Sequence, residues 1–158
     1  MDRAAALDQE LIAALRERGQ RVTLPRLLVH RHVRSAARHV APEDVHAALA
    51  PQHPGLSPAT IYATLDLLEE LGFVRRVNSP RGGIRYDSRV DPHHHLICRA
   101  CGRIEDVEPF VDVAAAERAA RAAGLSVDHA QLTFNGLCAD CAGVAGAADA
   151  PRRIPASS

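Results

Sequence analysis

Apolar residues recur at helical spacing through most of the first 72 residues, and this pattern predicts four helices. The first covers residues 2–18 and ends before Gly19, because glycine favours the position after a helix. Thr23 and Ser57 stand where N-caps are expected, each followed closely by proline in the first turn. The other three helices are predicted over residues 24–38, 41–50 and 58–71.

The pattern then changes to short runs separated by turn residues, which predicts strands. "FVRRVNS" and "IRYDS" flank the turn "PRGG", and four helices followed by a basic hairpin are the outline of a winged helix-turn-helix. We therefore predict an α+β protein with a winged-helix domain and a small α/β unit after it. In that unit the predicted elements are strands 95–98 and 104–108, helix 111–123 and strand 127–134.

The predicted domain boundaries follow from these elements. The winged helix takes residues 1–88 and the α/β unit residues 89–141, while the low-complexity segment 142–158 is expected to be disordered. The α/β unit offers little apolar surface for a core of its own. A metal ion, a partner subunit or both should therefore stabilise it.

Charge and composition limit the classes of function that the chain can have. The formal net charge is zero, yet residues 1–86 hold twelve Arg against nine acids, and seven Arg with one acid lie between Arg16 and Arg38. Positive charge at this density favours contact with phosphate groups, and a solvated helix face is the alternative. We expect no membrane span and no signal peptide, hence a cytoplasmic protein. In a reducing cytosol, paired cysteines favour metal over disulfides.

Cysteines form two C-x-x-C pairs, separated by 36 residues. A pair with this spacing can present both thiolates to one tetrahedral Zn²⁺, and two pairs complete a closed shell. A redox dithiol is the alternative, but neither pair lies at a helix start after a buried strand. We predict structural zinc on Cys98, Cys101, Cys138 and Cys141.

Histidines cluster beside the first cysteine pair, in "DPHHHLICRACG". On a strand His93 and His95 face the same side, so both imidazoles can chelate one ion, with Asp106 on the next strand and Asp87 on the wing. A solvated turn is the alternative for the triplet. His94, which faces the other side, is expected to be free. The remaining histidines His30, His32, His46 and His53 are predicted to lie at the surface.

Several segments together resemble the ferric uptake regulator (Fur) family of metal-dependent repressors. They are "GQRVTLPR", "HPGLSPATIYATLDLLEELGFVRRV", "HHHLICRACGRIEDVE" and "FNGLCADC", in the family's order and spacing from Leu11 to Cys141. The resemblance implies a homodimer that binds double-stranded operator DNA through Arg21, Thr60, Tyr62, Arg75 and Arg76. It also implies a regulatory Fe²⁺ or Mn²⁺ held by His39, Asp87, His93, His95 and Asp106.

With aspartate at positions 87 and 106, the chain resembles the peroxide-responsive branch of the family. In that branch, iron-driven oxidation of a ligating histidine releases DNA. We therefore predict a peroxide-responsive repressor. The alternative is a zinc-, nickel- or iron-responsive repressor without peroxide sensing. Ala63 departs from the family, which usually has a polar residue after the tyrosine of the recognition helix. A metallohydrolase is disfavoured because only His129 remains downstream as a further ligand, and the Arg-rich first half argues against a pure interaction module.

Overall fold

The computed structural model describes residues 3–36, 39–79, 83–108, 113–127 and 130–144. The chain divides into two compact units, Met1–Asp91 and Pro92–Ser158, which we call the N-terminal and C-terminal units. The N-terminal unit contains four helices followed by a two-stranded antiparallel sheet: α1 (Arg3–Glu17), α2 (Leu24–Ser35), α3 (Pro42–Leu49), α4 (Pro58–Glu70), β1 (Arg75–Ser79) and β2 (Gly83–Asp87). This is the predicted winged helix-turn-helix, in which α4 is the recognition helix and β1–β2 the wing.

One apolar core fills the N-terminal unit. Every helix contributes side chains to it, and Phe73, Val74 and Tyr86 extend it to the wing. Its fully buried aliphatic members recur at helical spacing along α1, α2 and α4: Leu11, Leu15, Val29, Val33, Ile61 and Leu65. The wing is thereby fixed to the recognition helix by burial of apolar surface.

Local signals set two helix ends as predicted, whereas Thr23 lies at the N-cap of α2 without a capping side-chain hydrogen bond. Gly19 has a φ of 63°, and the amide of Gln20 donates to the Leu15 carbonyl at 2.7 Å, which closes α1. The Ser57 side chain accepts from the Thr60 amide at 3.2 Å and caps α4. Helix α2, however, ends at Ser35 rather than near Arg38, and residues 37–38 lie outside the described residues. The chain has to leave the helix here because Val40 pairs with Tyr86 in an isolated antiparallel bridge.

The C-terminal unit contains β3 (His94–Cys98), β4 (Ile104–Val107), α5 (Ala114–Ala122), β5 (Thr133–Gly136) and α6 (Ala139–Val144). Its sheet has the order β4-β3-β5, with β4 antiparallel and β5 parallel to the central strand. The parallel register sets Cys98 opposite Gly136, two residues before Cys138. Side by side, β3 and β5 therefore bring the two cysteine pairs to one end of the sheet.

Several predicted boundaries in this unit were wrong. Strand β5 begins at Thr133 rather than at Val127, because its pairing is limited to the segment beside β3. The expected disordered tail begins inside α6, which extends to Val144, and residues 145–158 lie outside the described residues. Helix α5 is shorter than predicted, and residues 111–112 also lie outside them. In the described part of the chain, no helix is long and apolar enough to cross a membrane.

Candidate metal centres and nucleic-acid interface

Four cysteine sulfurs meet at the end of the C-terminal sheet. The Sγ atoms of Cys98, Cys101, Cys138 and Cys141 lie within 4.8 Å of one another, and none is in a disulfide. Each pair is shaped by a local turn: the Gly102 amide donates to the Cys98 carbonyl at 2.8 Å, with Gly102 at a φ of 76°, and the Ala142 amide donates to the Cys138 carbonyl at 2.8 Å. The left-handed turn at Gly102 is one that other residues rarely adopt.

The four thiols influence one another's ionisation. Hydrogen bonds from the backbone amides of Cys101 and Cys138 lower the pKa of Cys98 to about 6. Hydrogen bonding to its three neighbours raises the pKa of Cys141 to about 12. Four thiolates at this separation need a cation to be ionised together, and a tetrahedral sulfur set selects zinc among common divalent ions. The group is therefore suited to a structural zinc ion.

A second group in the C-terminal unit offers nitrogen and oxygen. The Nε2 atoms of His93 and His95 are 2.9 Å apart, and the Asp106 Oδ1 lies 3.8 Å and 4.0 Å from them, respectively. His95 and Asp106 are direct partners across β3 and β4, which brings their side chains to one face. Both histidines are buried. This histidine–aspartate set is suited to a regulatory divalent metal rather than to the ions that sulfur selects.

The N-terminal unit places a histidine and an aspartate together as well. His39 Nε2 lies 3.7 Å from Asp87 Oδ2, and both side chains are buried. The other carboxylate oxygen of Asp87 accepts from the Arg89 amide at 2.8 Å, which fixes its orientation. The Val40–Tyr86 bridge lies immediately beside both residues, because Val40 follows His39 and Tyr86 precedes Asp87.

The His94 Nδ1 accepts from the Leu132 amide at 3.3 Å, and the His46 Nε2 lies 3.0 Å from the Leu56 carbonyl oxygen. His32, His46 and His53 are all half-buried. The surface prediction for His30 was wrong. His30 is fully buried against Phe73, with ring centroids 4.8 Å apart. The apolar residues Leu27, Leu28 and Val29 directly before His30 were the local signal for its burial, and α1 and α4 pack against the same helix.

The predicted DNA-contacting residues of α4 lie at its exposed face. Tyr62 is 40% exposed and its hydroxyl donates to Glu43 on α3, while the Thr60 hydroxyl lies 2.9 Å from that of Ser57. Arg21 is exposed, its carbonyl accepts from the Arg26 guanidinium, and both arginines line an open cleft of about 490 Å³ with Thr60 and Ala63. Arg21 before α2 and Arg26 in its first turn thus share one open cleft with small residues of α4.

The two wing arginines differ in their surroundings. Arg75 is half-buried, whereas Arg76 is more exposed but already paired: it donates to Asp66 at 2.7 Å and contacts Glu69 at 3.1 Å. Its guanidinium carbon also lies 5.6 Å from the ring centroid of Tyr86. The family resemblance implied a DNA contact for Arg76, and the sequence did not predict this network because the partners of Arg76 are distant in sequence. A contact between Arg76 and DNA stays a prediction.

A winged helix joined to a unit with two metal-binding groups defines the class of metal-responsive, DNA-binding regulators. The model of the ferric uptake regulator family matches residues 17–135, and the chain belongs to this family. Its members are metal-responsive transcriptional regulators rather than enzymes.

Individual relatives agree with this assignment. The chain is 31% identical over 134 residues to the peroxide-responsive repressor PerR of Staphylococcus aureus, a match that covers 84% of this chain and 90% of PerR. The ferric uptake regulator of Pseudomonas aeruginosa, solved with manganese, is 29% identical with a TM-score of 0.61, covering 80% and 96% of the two chains. A zinc uptake regulator in complex with zinc and DNA is 25% identical with a TM-score of 0.66, covering 91% and 98%.

Proposed function

We propose that this protein is a homodimeric repressor whose affinity for operator DNA depends on a regulatory Fe²⁺ or Mn²⁺ and falls when peroxide oxidises the iron form. One observation carries the proposal: the chain holds two ligand groups of opposite chemistry, four sulfurs and a set of imidazoles and carboxylates. Four sulfur ligands fill the coordination shell of a zinc ion, so such a site has a structural role. A site made of imidazoles and carboxylates can exchange its metal ion and so respond to the metal available.

In this proposal, zinc on the four cysteines has a structural role. It would join the end of β3 to the start of α6 and so hold the C-terminal sheet together. Binding free energy at such a site appears as folding free energy, because the unfolded chain has no preformed site. The unit's lack of aliphatic core supports this role, and a second copy of the chain would cover further apolar surface.

The proposed regulatory ion takes His39 and Asp87 from the N-terminal unit and His93, His95 and Asp106 from the C-terminal unit. Three neutral imidazoles and two carboxylates balance the charge of a divalent cation. When bound, ferrous iron supplies the electron that reduces hydrogen peroxide beside these histidines. Ligation by both units would favour one arrangement of the DNA-binding unit, and a preference of about 3 kcal/mol shifts such an equilibrium more than a hundredfold.

Peroxide is proposed as the signal on two grounds. Both carboxylates of the proposed ligand set, Asp87 and Asp106, are aspartates, and a relative that is 31% identical is a peroxide-responsive repressor. The similarity to a zinc uptake regulator supports a second candidate, a zinc-responsive repressor that uses the same ligands without peroxide sensing. The two candidates differ in what peroxide does to the iron-loaded protein.

For DNA, we propose that α4 enters the major groove with Thr60 and Tyr62. Arg21 would contact the backbone or minor groove, and Arg75 and Arg76 would contact phosphates from the wing. Each phosphate contact adds about one unit to the slope of log affinity against log salt. Arg76→Ala should therefore weaken binding to all sequences alike and lower that slope by about one. An unchanged slope would show that Arg76 serves only its network with Asp66.

Metal analysis of protein purified without oxygen is the direct test of the whole proposal. We expect one zinc per chain that resists dialysis and one exchangeable ion. Peroxide should add one oxygen atom to His39 or His93 in the iron-loaded protein, as mass spectrometry of peptides would show, and leave the manganese-loaded protein unmodified. Unmodified histidines in the iron form, together with DNA binding switched by zinc alone, would establish the second candidate.

The link between metal and DNA is tested at His39, a proposed ligand in the DNA-binding unit. His39→Ala should retain zinc and the dimer but lose metal-dependent DNA binding. His53→Ala is the matched control, since it changes a histidine of the same unit outside both ligand groups. Equal metal dependence in the His39 variant and the control would contradict the proposed ligand set.

A further inference from the structure

Tyr86 occupies a position that connects three parts of the N-terminal unit. It lies in β2, it is fully buried, and the next residue is Asp87. Its backbone forms both hydrogen bonds of the bridge with Val40, at 3.0 Å and 2.8 Å, and the residue before Val40 is His39. Any change in the separation of His39 and Asp87 therefore acts on this bridge first.

From the bridge, the Tyr86 side chain crosses to the recognition helix. Its hydroxyl donates to Asp66 Oδ1 at 2.7 Å, and Asp66 lies on the exposed side of α4, one turn after Tyr62. The same carboxylate oxygen accepts from Arg76 of the wing at 2.7 Å, and the Arg76 guanidinium lies near the Tyr86 ring. The network thus joins the strand bearing Asp87, the recognition helix and the wing.

The contact between the Tyr86 hydroxyl and Asp66 is rigid for two reasons. A hydroxyl that donates to a carboxylate forms a charge-assisted bond, which is stronger than a bond between neutral groups. A tyrosine ring has two rotatable bonds, and both are restricted here because the ring is packed in the core.

We propose that Tyr86 is the positioning residue that couples the regulatory ligands His39 and Asp87 to helix α4, through its hydroxyl bond to Asp66. The inference rests on the proposed function and adds its route of regulation. An ion that draws His39 and Asp87 into a fixed geometry sets the Val40–Tyr86 bridge, and the rigid side chain transmits that geometry to the middle of α4. The angle at which the recognition helix meets DNA then depends on the ion.

Tyr86→Phe is the test, because it removes the hydroxyl and keeps the packed ring. The measured quantity is the coupling ratio: the dissociation constant for a duplex selected by the wild-type protein, without Mn²⁺, divided by that with Mn²⁺. We expect the variant to reduce this ratio about 3- to 10-fold. Its Mn²⁺ affinity without DNA and its metal-free DNA affinity should stay within about twofold of wild type.

The chain provides a matched control, since its other tyrosine is Tyr62. Tyr62→Phe removes a hydroxyl that bonds Glu43 at the proposed DNA face, so it should change DNA affinity equally with and without Mn²⁺ and leave the ratio intact. A second pair of variants addresses the acceptor. Asp66→Ala should lower the ratio as Tyr86→Phe does, whereas Asp66→Asn retains a carbonyl acceptor and should restore most of it.

A readout without DNA separates coupling from a merely structural role. In the wild-type protein Mn²⁺ should slow hydrogen exchange of the α4 amides between Ile61 and Leu68, and in Tyr86→Phe this effect should be lost. An unchanged ratio in Tyr86→Phe and Asp66→Ala would overturn the inference alone, as would an equal loss of DNA affinity in both metal states. A wild-type protein whose DNA binding ignores metal would overturn the proposed function and the inference with it.

Discussion

In the N-terminal unit the buried side chains are aliphatic and aromatic residues from four helices and the wing. In the described part of the C-terminal unit, Ile97 is the only buried aliphatic side chain, and the other buried residues are His93, His94, His95, Cys98 and Cys138. Helix α5 has no buried residue within its described span, and Leu125 after it is 61% exposed.

This difference separates two ways of stabilising a small fold. Burial of apolar surface contributes about 25 cal/mol per Å² to the free energy of folding, and we expect it to stabilise the N-terminal unit without any ligand. Among the described residues, the C-terminal unit has little such surface, and we expect bound metal to supply part of its stability. We therefore expect the N-terminal unit to fold independently of metal and the C-terminal unit to depend on it.

Cys138→Ser should have the largest effect, because a three-sulfur site loses most of a zinc-binding free energy of about 10 kcal/mol or more. We expect loss of zinc and of the dimer, with rapid hydrogen exchange throughout β3–β5 and unchanged exchange in α1–α4. Zinc analysis, light scattering and hydrogen exchange measure these outcomes. Asn135→Ser, a nearby exposed site, is the control. A dimeric, zinc-free variant with a protected C-terminal sheet would show that the unit does not need the metal.

Leu65→Ala should damage the other unit selectively. Leu65 is fully buried in α4, and truncation of such a side chain costs about 2–5 kcal/mol through lost burial and a cavity. Urea unfolding should show the loss in the transition of the N-terminal unit, with zinc content unchanged. Leu67→Ala, at a half-buried position of the same helix, should cost less. Equal losses at the two positions would mean that core packing does not dominate this unit.

His30→Leu should alter the acid stability of the N-terminal unit. Burial is the main reason that the pKa of His30 falls to about 4 from 6.5, with the Arg34 charge adding to the shift and Asp8 opposing it. Neither ring nitrogen has a hydrogen-bond partner among the described residues. Between pH 6.5 and 4 the unfolded chain binds a proton that the folded chain does not, so the free energy of unfolding decreases as the pH falls through this range.

The variant should remove this contribution, which we put at about 2 kcal/mol at pH 4 relative to pH 7.5. Urea titrations of wild type and variant at both pH values measure it as a difference, in which the acid sensitivity of the metal ligands cancels. His53→Leu provides a comparison at a less buried position of the same unit. If the free energy of unfolding changed equally with pH in wild type and His30→Leu, His30 would bind its proton in the folded protein as readily as in the unfolded chain.

The smallest effect is expected for the ion pair between Arg103 and Asp140, which joins the start of β4 to α6 at 2.6 Å. Both side chains are more than half exposed, and surface pairs contribute about 0–1 kcal/mol. Asp140→Ala should leave zinc content unchanged and lower stability by less than about 0.5 kcal/mol. A double-mutant cycle with Arg103→Ala measures the pair. A large coupling energy would mean that surface charge stabilises the C-terminal unit as well as metal.

The sequence by itself predicted features whose causes lie within a few residues. The C-x-x-C spacing places two sulfurs on one turn, Ser57 caps its own helix, and the extended chain at the start of β3 brings His93 and His95 together. The family resemblance added His39, and the structure brings His39 to Asp87 within one unit and Asp106 to His93 and His95 within the other.

Tertiary structure decided what depends on distant partners. His30 and His53 were both predicted to lie at the surface, yet the packing of Phe73 and the helices makes His30 a core residue. Arg76 has the sequence context of a phosphate contact, but Asp66, ten residues away, and Tyr86 on the neighbouring strand hold it. The reason is physical: turns, caps and strand faces are set by local backbone geometry, whereas burial and the choice of a hydrogen-bond partner are set by whichever element packs opposite.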